Sequence, residues 1–236
     1  MKMSRFCLRI RHSHLALAAA AAAALVASPT GTNAATILGT GTGALLGSDL
    51  TDPENDGTPD GSNYNATFAA SEEPGFGGGE FAFNVFNNQV GGGNAKWCCG
   101  GASPGTFPIW VEATFEQPVV LTSFTLTSGN DTPGRDPVDW EILGTNDGAT
   151  FSQIHVQSGS LWTARDQVIL WEGAGADFAT PAAYSTIRLN VIATGLTTGA
   201  LFQLSEIEIF GNVVPEPSAI AFFGLAGLGL ILRRRR

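Results

Sequence analysis

Cysteine, histidine and positive charge are all scarce in this sequence, and each scarcity closes off a class of function. Of three cysteines, Cys98 and Cys99 are adjacent in KWCCG and Cys7 lies near the N-terminus. With no Cys-x-x-Cys spacing, no second pair and no histidine partner, a zinc site is not supported. Outside the cytoplasm the pair is expected as a strained vicinal disulfide or as two thiols, with a bridge to another chain as the lesser alternative. Beyond the N-terminal region the only histidine is His155, inside the strand-like FSQIHVQ. No Ser, Cys or carboxylate motif accompanies it, so no nucleophile–base arrangement is legible. Acid pairs such as Asp136 and Asp139 read as a solvated turn rather than as glycosidase carboxylates. Amphipathic helices of useful length are missing too.

Positive charge is confined to the ends. Lys2, Arg5, Arg9 and Arg11 precede the body and four arginines close the chain, leaving Lys96, Arg135, Arg165 and Arg188 between them. Twenty of the twenty-one acids lie in that body, so its net charge is −16 although the whole chain carries −9. Such a surface argues against nucleic acid and anionic lipid as partners. It favours solubility outside the cell, divalent cations and neutral glycans.

The two ends read as targeting segments. A basic leader, MKMSRFCLRIRHSH, is followed by the apolar run Leu15 to Ala27 and by small residues. These are the three parts of a secretory signal peptide, placed at residues 1–34, with Ala27 as a competing cleavage site. At the other end Ser218 to Leu232 is a fifteen-residue apolar run. As a helix it spans about 22 Å, short of a hydrocarbon core of roughly 30 Å. The arginines behind it would stay cytoplasmic and leave the body outside. The expectation is a short transmembrane helix and a temporary hold in the inner membrane.

Residues 213–236 contain Pro215, Glu216 and Pro217, the short apolar run, and Arg233, Arg234, Arg235 and Arg236. This tripartite tail resembles the PEP-CTERM sorting signal of Gram-negative bacteria. The resemblance implies recognition by an exosortase, processing near the Pro-Glu-Pro motif, and delivery to the outer surface or extracellular matrix. Proline on both sides of Glu216 keeps the stretch extended.

Within the body, residues 39–63 are rich in Gly, Asp, Pro and Thr and read as irregular loop. From Glu80 onward the apolar period is two. FAFNVF puts Phe81, Phe83 and Val85 on one side, and WVEATFE sets Val111, Ala113 and Phe115 against Glu112, Thr114 and Glu116. LTSFTLTS places Phe124 and Leu126 inward, TIRLNVIA does so for Ile187, Leu189 and Val191, and SEIEIFG sets Ile207 and Ile209 against Glu206 and Glu208. Turn clusters separate these runs, among them Asn-Asp-Gly at 146–148. The expected fold is all-β, a sandwich or jelly roll.

PVDWEILGTNDGATFSQIHVQSG, Pro137 to Gly159, and YSTIRLNVIATGLTTGALFQLSEIEIFG, Tyr184 to Gly211, resemble the discoidin, or coagulation factor 5/8 type C, group of galactose-binding-like sandwiches. FAFNVFNNQVGGGNAKWCCG is similar to the opening segment of that group. Residues 80–212 are therefore expected to form a discoidin-like jelly-roll β-sandwich, with 35–79 as an N-terminal extension. The resemblance implies glycan binding without catalysis. It also implies a structural calcium ion held by Asn87, standing where the group carries Asp, by Glu206, and by carbonyls near Gly92 to Ala95. The run Asp52, Glu54, Asp56 starts like a calcium loop but ends on Asn63, and reads as an acidic loop. Sugar-stacking and hydroxyl-binding candidates on loops are Trp97, Arg135, Asp136, Trp162 and Arg165. Trp110, Trp140 and Trp171 read as core and Arg188 as structural. The rivals to a binding role are a non-binding structural matrix component and, further off, a glycan-active hydrolase.

Overall fold

The computed structural model describes residues 35–52, 54, 62–73, 79–98, 107–196 and 201–215, which fall in one compact unit. The leader at 1–34, the apolar tail with its arginines, Glu216, Pro217, Cys99 and Asp56 lie outside the described residues. Among the described residues no helix is long and apolar enough to cross a membrane.

One strand organises the rest. β4 (Ile109–Thr127) joins what the sequence reads as two strands into nineteen residues. Its first half alternates buried Ile109, Val111, Ala113 and Phe115 with more exposed Trp110, Glu112 and Thr114. Pairing with β8 (Tyr184–Thr194) shifts between Thr114 and Val119, across Glu116, Gln117 and Pro118. Proline has no N–H to give to a ladder, so the strand changes sheets there.

The first half of β4 pairs β2 (Ala66–Ala70) on one side and β8 on the other. β5 (Pro137–Thr145) and the edge strand β6 (Ser152–Gln157) follow in that sheet. The second half pairs β10 (Glu206–Val213) and β7 (Gln167–Glu172), and β7 carries β1 (Thr36–Thr40) on its far side. A two-residue ladder, β3 (Trp97–Cys98) with β9 (Gln203–Leu204), ties the opening loop to the approach to β10. The result is the β-sandwich expected from the periodicity.

The core lies between the two sheets. Phe124 stacks on Trp171 at 5.3 Å, and Trp140 meets Trp171 edge-on at 5.0 Å. His155 is buried among Phe124, Trp140, Trp171 and Phe178. Desolvation there lowers its pKa and keeps the ring neutral. An internal void of about 10 Å³, lined by residues of both sheets, has room for no more than one water.

Two readings change with the structure. Residues 35–79, read as an extension ahead of the sandwich, contribute β1 and β2 to its sheets. FAFNVF, read as a strand, forms a 3₁₀ turn over Ala82–Phe86. Asn84 draws the chain inward by donating its Nδ2 to the carbonyls of Gly79, Asn94 and Lys96. Phe81 and Phe83 are left at the surface.

Phe124→Ala should cost about 3–5 kcal/mol in urea unfolding, because the ring fills the space between four other rings. The exposed Ile192→Ala should change stability by less than about 0.5 kcal/mol.

Candidate functional site

The loop from Gly79 to Lys96 encloses an open polar cavity of about 420 Å³. Its wall carries the side-chain amides of Asn84, Asn87, Gln89 and Asn94, with Gly79, Gly91, Gly92 and Ala95 between them. Gly91 and Gly92 have φ of 81° and 115°, a backbone that glycine adopts without strain. Asn88 has φ 57°, a left-handed backbone that asparagine tolerates better than most residues. Carboxamides bring donors and acceptors without net charge, and with Asn84 Nδ2 and Asn87 Oδ1 engaged inside the loop, Gln89 and Asn94 best suit the cavity to hydroxyl-bearing neutral ligands.

A buried carboxylate sits behind this wall. Glu206 has no exposed surface, and neither side-chain oxygen has a hydrogen-bond partner of good geometry. Burial pushes its pKa well above the usual carboxylate range, and the charges of Asp49 and Glu208 push the same way. The amides of Ile207 and Gln89 oppose this weakly. Thr127, its cross-strand partner, and Ser205 also hold buried hydroxyls without partners. Asn87 Oδ1 accepts from the Gln89 amide at 3.0 Å, so the loop amide that faces Glu206 is fixed by Asn87.

These orphaned oxygens fit a hard cation. Calcium takes six to eight oxygen ligands, and Glu206 supplies the carboxylate one needs. Among the described residues no three His, Cys, Asp or Glu side chains group to hold a metal. Any ion here would therefore complete its shell with amide, hydroxyl and backbone oxygens.

The segment that buries Glu206 was unreadable as such in the sequence. Gly47 donates to Glu208 Oε1 at 2.6 Å, Leu50 donates to the Ile209 carbonyl at 2.7 Å, and Asp49 Oδ1 accepts from Thr51. Glu208 also accepts from Thr125 Oγ1 at 2.7 Å. Desolvation pushes Asp49 up to about 6. Asp52 is buried, and its carbonyl accepts from Asn65 while Glu54 accepts from Asn63. The bonds of Gly47, Asp49 and Leu50 make this segment a strap over β10.

Of the loop residues expected to meet sugar, Trp97 and Asp136 are buried, and Arg135, Trp162 and Arg165 are partly buried. Trp97 is fully buried in the core against Phe202, at 4.7 Å, because β3 pairs it inward with Leu204. Asp136 is buried and forms an ion pair with Arg165; its Oδ1 accepts from the Gly129 amide and from Gln203. Arg165 donates to the Gly129 carbonyl as well. Trp162 packs on the core and gives its indole N–H to the Pro137 carbonyl at 2.8 Å. Arg135 is half-buried with its guanidinium 3.9 Å from Cys98 Sγ, and Cys98 is disulfide-bonded. Thus Asp136 and Arg165 pair with each other, while Trp162 is tied to Pro137.

Trp110 is not core. Its ring carries the Arg188 guanidinium at 3.9 Å, Phe151 covers the other side at 4.0 Å, and Glu112 ion-pairs with the same arginine at 2.6 Å. The readable sign of the amide cavity is the asparagine- and glycine-rich NNQVGGGN, where Asn87 was the one side chain expected to act as a ligand, beside carbonyls near Gly92 to Ala95.

Residues 213–236 match the PEP-CTERM protein-sorting motif. No curated protein matches the chain in sequence. Among solved structures it is similar to the module CpGH89CBM32-5 from Clostridium perfringens in complex with GalNAc-β-1,3-galactose. Identity there is 16%, covering 62% of this chain and 96% of that one, at a TM-score of 0.49. It is also similar to the family 32 carbohydrate-binding module of C. perfringens NanJ in complex with galactose, at 14% identity, 61% and 93% coverage and a TM-score of 0.47. A third is the family 32 module from Streptococcus pneumoniae EndoD, at 13%, 63% and 98%, with a TM-score of 0.46.

Asp49→Asn keeps an acceptor for Thr51 but removes the buried charge. A carboxyl whose folded pKa is raised destabilises the fold as pH rises from its ordinary value toward the raised one. In chelator the variant should therefore melt above the parent at about pH 7, and the gap should close below about pH 4.

Proposed function

We propose that the chain is exported, sorted by an exosortase to the outer surface or extracellular matrix, and binds neutral extracellular polysaccharide through its sandwich. The sorting half is supported by the motif at 213–236. Pro215 directly follows Val214, whose amide donates to the Pro118 carbonyl at 2.8 Å. A processing enzyme acting near Pro215, Glu216 and Pro217 would release the body after transient anchoring in the inner membrane.

The observation that carries the binding half is the amide-lined cavity on a strongly acidic body. Hydroxyl groups satisfy carboxamides in both directions, whereas an anionic chain would meet a field of like charge. Calcium bound by Glu206, beside Asn87, would neutralise the buried carboxylate and stiffen the loop from behind. Ligand binding of this kind needs no catalytic group.

A glycan array probed with the full chain tests the binding reading. Retention on neutral galactans or glucans and not on uronate chains is expected; a blank array from folded protein rejects it. Saturating calcium should raise Tm by roughly 5 °C, with chelator reversing the gain and Glu206→Gln abolishing it. An unchanged Tm in the parent would remove calcium from the account.

A further inference from the structure

Phe81 and Phe83 are 44% and 42% exposed, while Phe86, Phe115, Phe124, Phe178 and Phe202 are buried. Their rings lie nearly parallel, 11° apart in plane with centroids at 5.9 Å. The turn between and after them is anchored underneath, since Ala82, Asn84, Val85 and Phe86 are buried. The anchor is also part of the cavity wall: Asn84 holds the carbonyls of Gly79 and Asn94, and all three residues line the cavity. Ring pair and cavity are therefore built on one turn and hold a fixed relation to each other.

Exposed apolar rings next to a neutral amide surface reproduce the two faces of a pyranose, whose C–H side packs on aromatic rings while its hydroxyls seek amides. The neighbouring carboxylates set the sign of the ligand. Glu73 accepts from the Ala82 amide at 3.0 Å, between the two rings in sequence, and Glu80 precedes them. A cation close by, Lys96, is buried and shared among Glu80, Asp131 and Asn130. A uronate chain would meet the like charge of Glu73 and Glu80 here.

We propose that Phe81 and Phe83 form a stacking platform for a pyranose unit of a neutral polysaccharide whose hydroxyls enter the adjoining amide cavity. The proposal rests on the polysaccharide-binding reading and assigns it a face and a ligand class. It is tested by native affinity electrophoresis of the full chain in non-ionic detergent, through gels containing a neutral β-galactan, a neutral β-glucan or alginate. The parent should be retarded by at least one neutral polymer and not by alginate. The double variant Phe81→Leu/Phe83→Leu, apolar but without flat rings, should lose roughly tenfold in affinity. Ile37→Ser, at an exposed apolar site on β1, should bind as the parent does.

Matching melting curves establish that the variants fold. Parent-like retardation of the double variant overturns the platform and leaves the polysaccharide reading standing. Loss of binding in Ile37→Ser would show general apolar adhesion and overturn it as well. Equal retardation by alginate overturns the neutral ligand class, and no retardation by either neutral polymer overturns the platform together with the reading beneath it.

Discussion

β4 belongs to both sheets, and that shared membership is the constraint on which the rest of the sandwich depends. Its first half fixes β2 and β8, its second half fixes β10 and β7, and the change occurs at Pro118. Because both halves keep the two-residue alternation, Val111 and Ala113 face the same core as Phe124 and Leu126. A one-residue slip on either side of Pro118 would turn one sheet's apolar set to solvent. The loop carrying the cavity is positioned through this frame, by β3 against β9 and by β10 behind it.

The second constraint is electrostatic. Asp49, Glu206 and Glu208 are all buried, although burying a carboxylate costs several kcal/mol unless it is paired, hydrogen-bonded or protonated. Glu208 is satisfied by Gly47 and Thr125, and Asp49 by Thr51, but among the described residues Glu206 has no hydrogen-bond partner of good geometry. An unmet carboxylate directly behind a ligand-shaped loop links the stability of the fold to the site. Neutralising it, by proton or cation, lowers the cost of closing the strap and holds the loop that carries the amides.

Much of this was legible in the sequence. Period-two apolar positions such as Ile187, Leu189, Val191, Ile207 and Ile209 are buried as the alternation requires. Alternation identifies which residues face the core but not what covers the opposite face. Glu206 and Glu208 alternate outward and are nonetheless buried, because a segment about 160 positions earlier folds over them. Trp97 and Trp110 exchange their expected roles for the same reason. Trp97 pairs inward through a two-residue ladder too short to show as a pattern, and Trp110 sits on an outer face where Arg188 and Phe151 stack with it. Phe81 and Phe83 kept the alternation of a strand while three carbonyl contacts from Asn84 curled the backbone into a turn.

The central claim is that binding occurs at the Gly79–Ala95 loop rather than around Arg135, Asp136, Trp162 and Arg165. The direct measurement is a titration of the ¹⁵N-labelled chain with a neutral oligosaccharide, following side-chain amide and indole resonances. The account predicts shifts for the carboxamides of Asn84, Gln89 and Asn94 while the Trp162 indole, tied to Pro137, stays in place. Movement of Trp162 and the arginine side chains with unmoved loop carboxamides would contradict it.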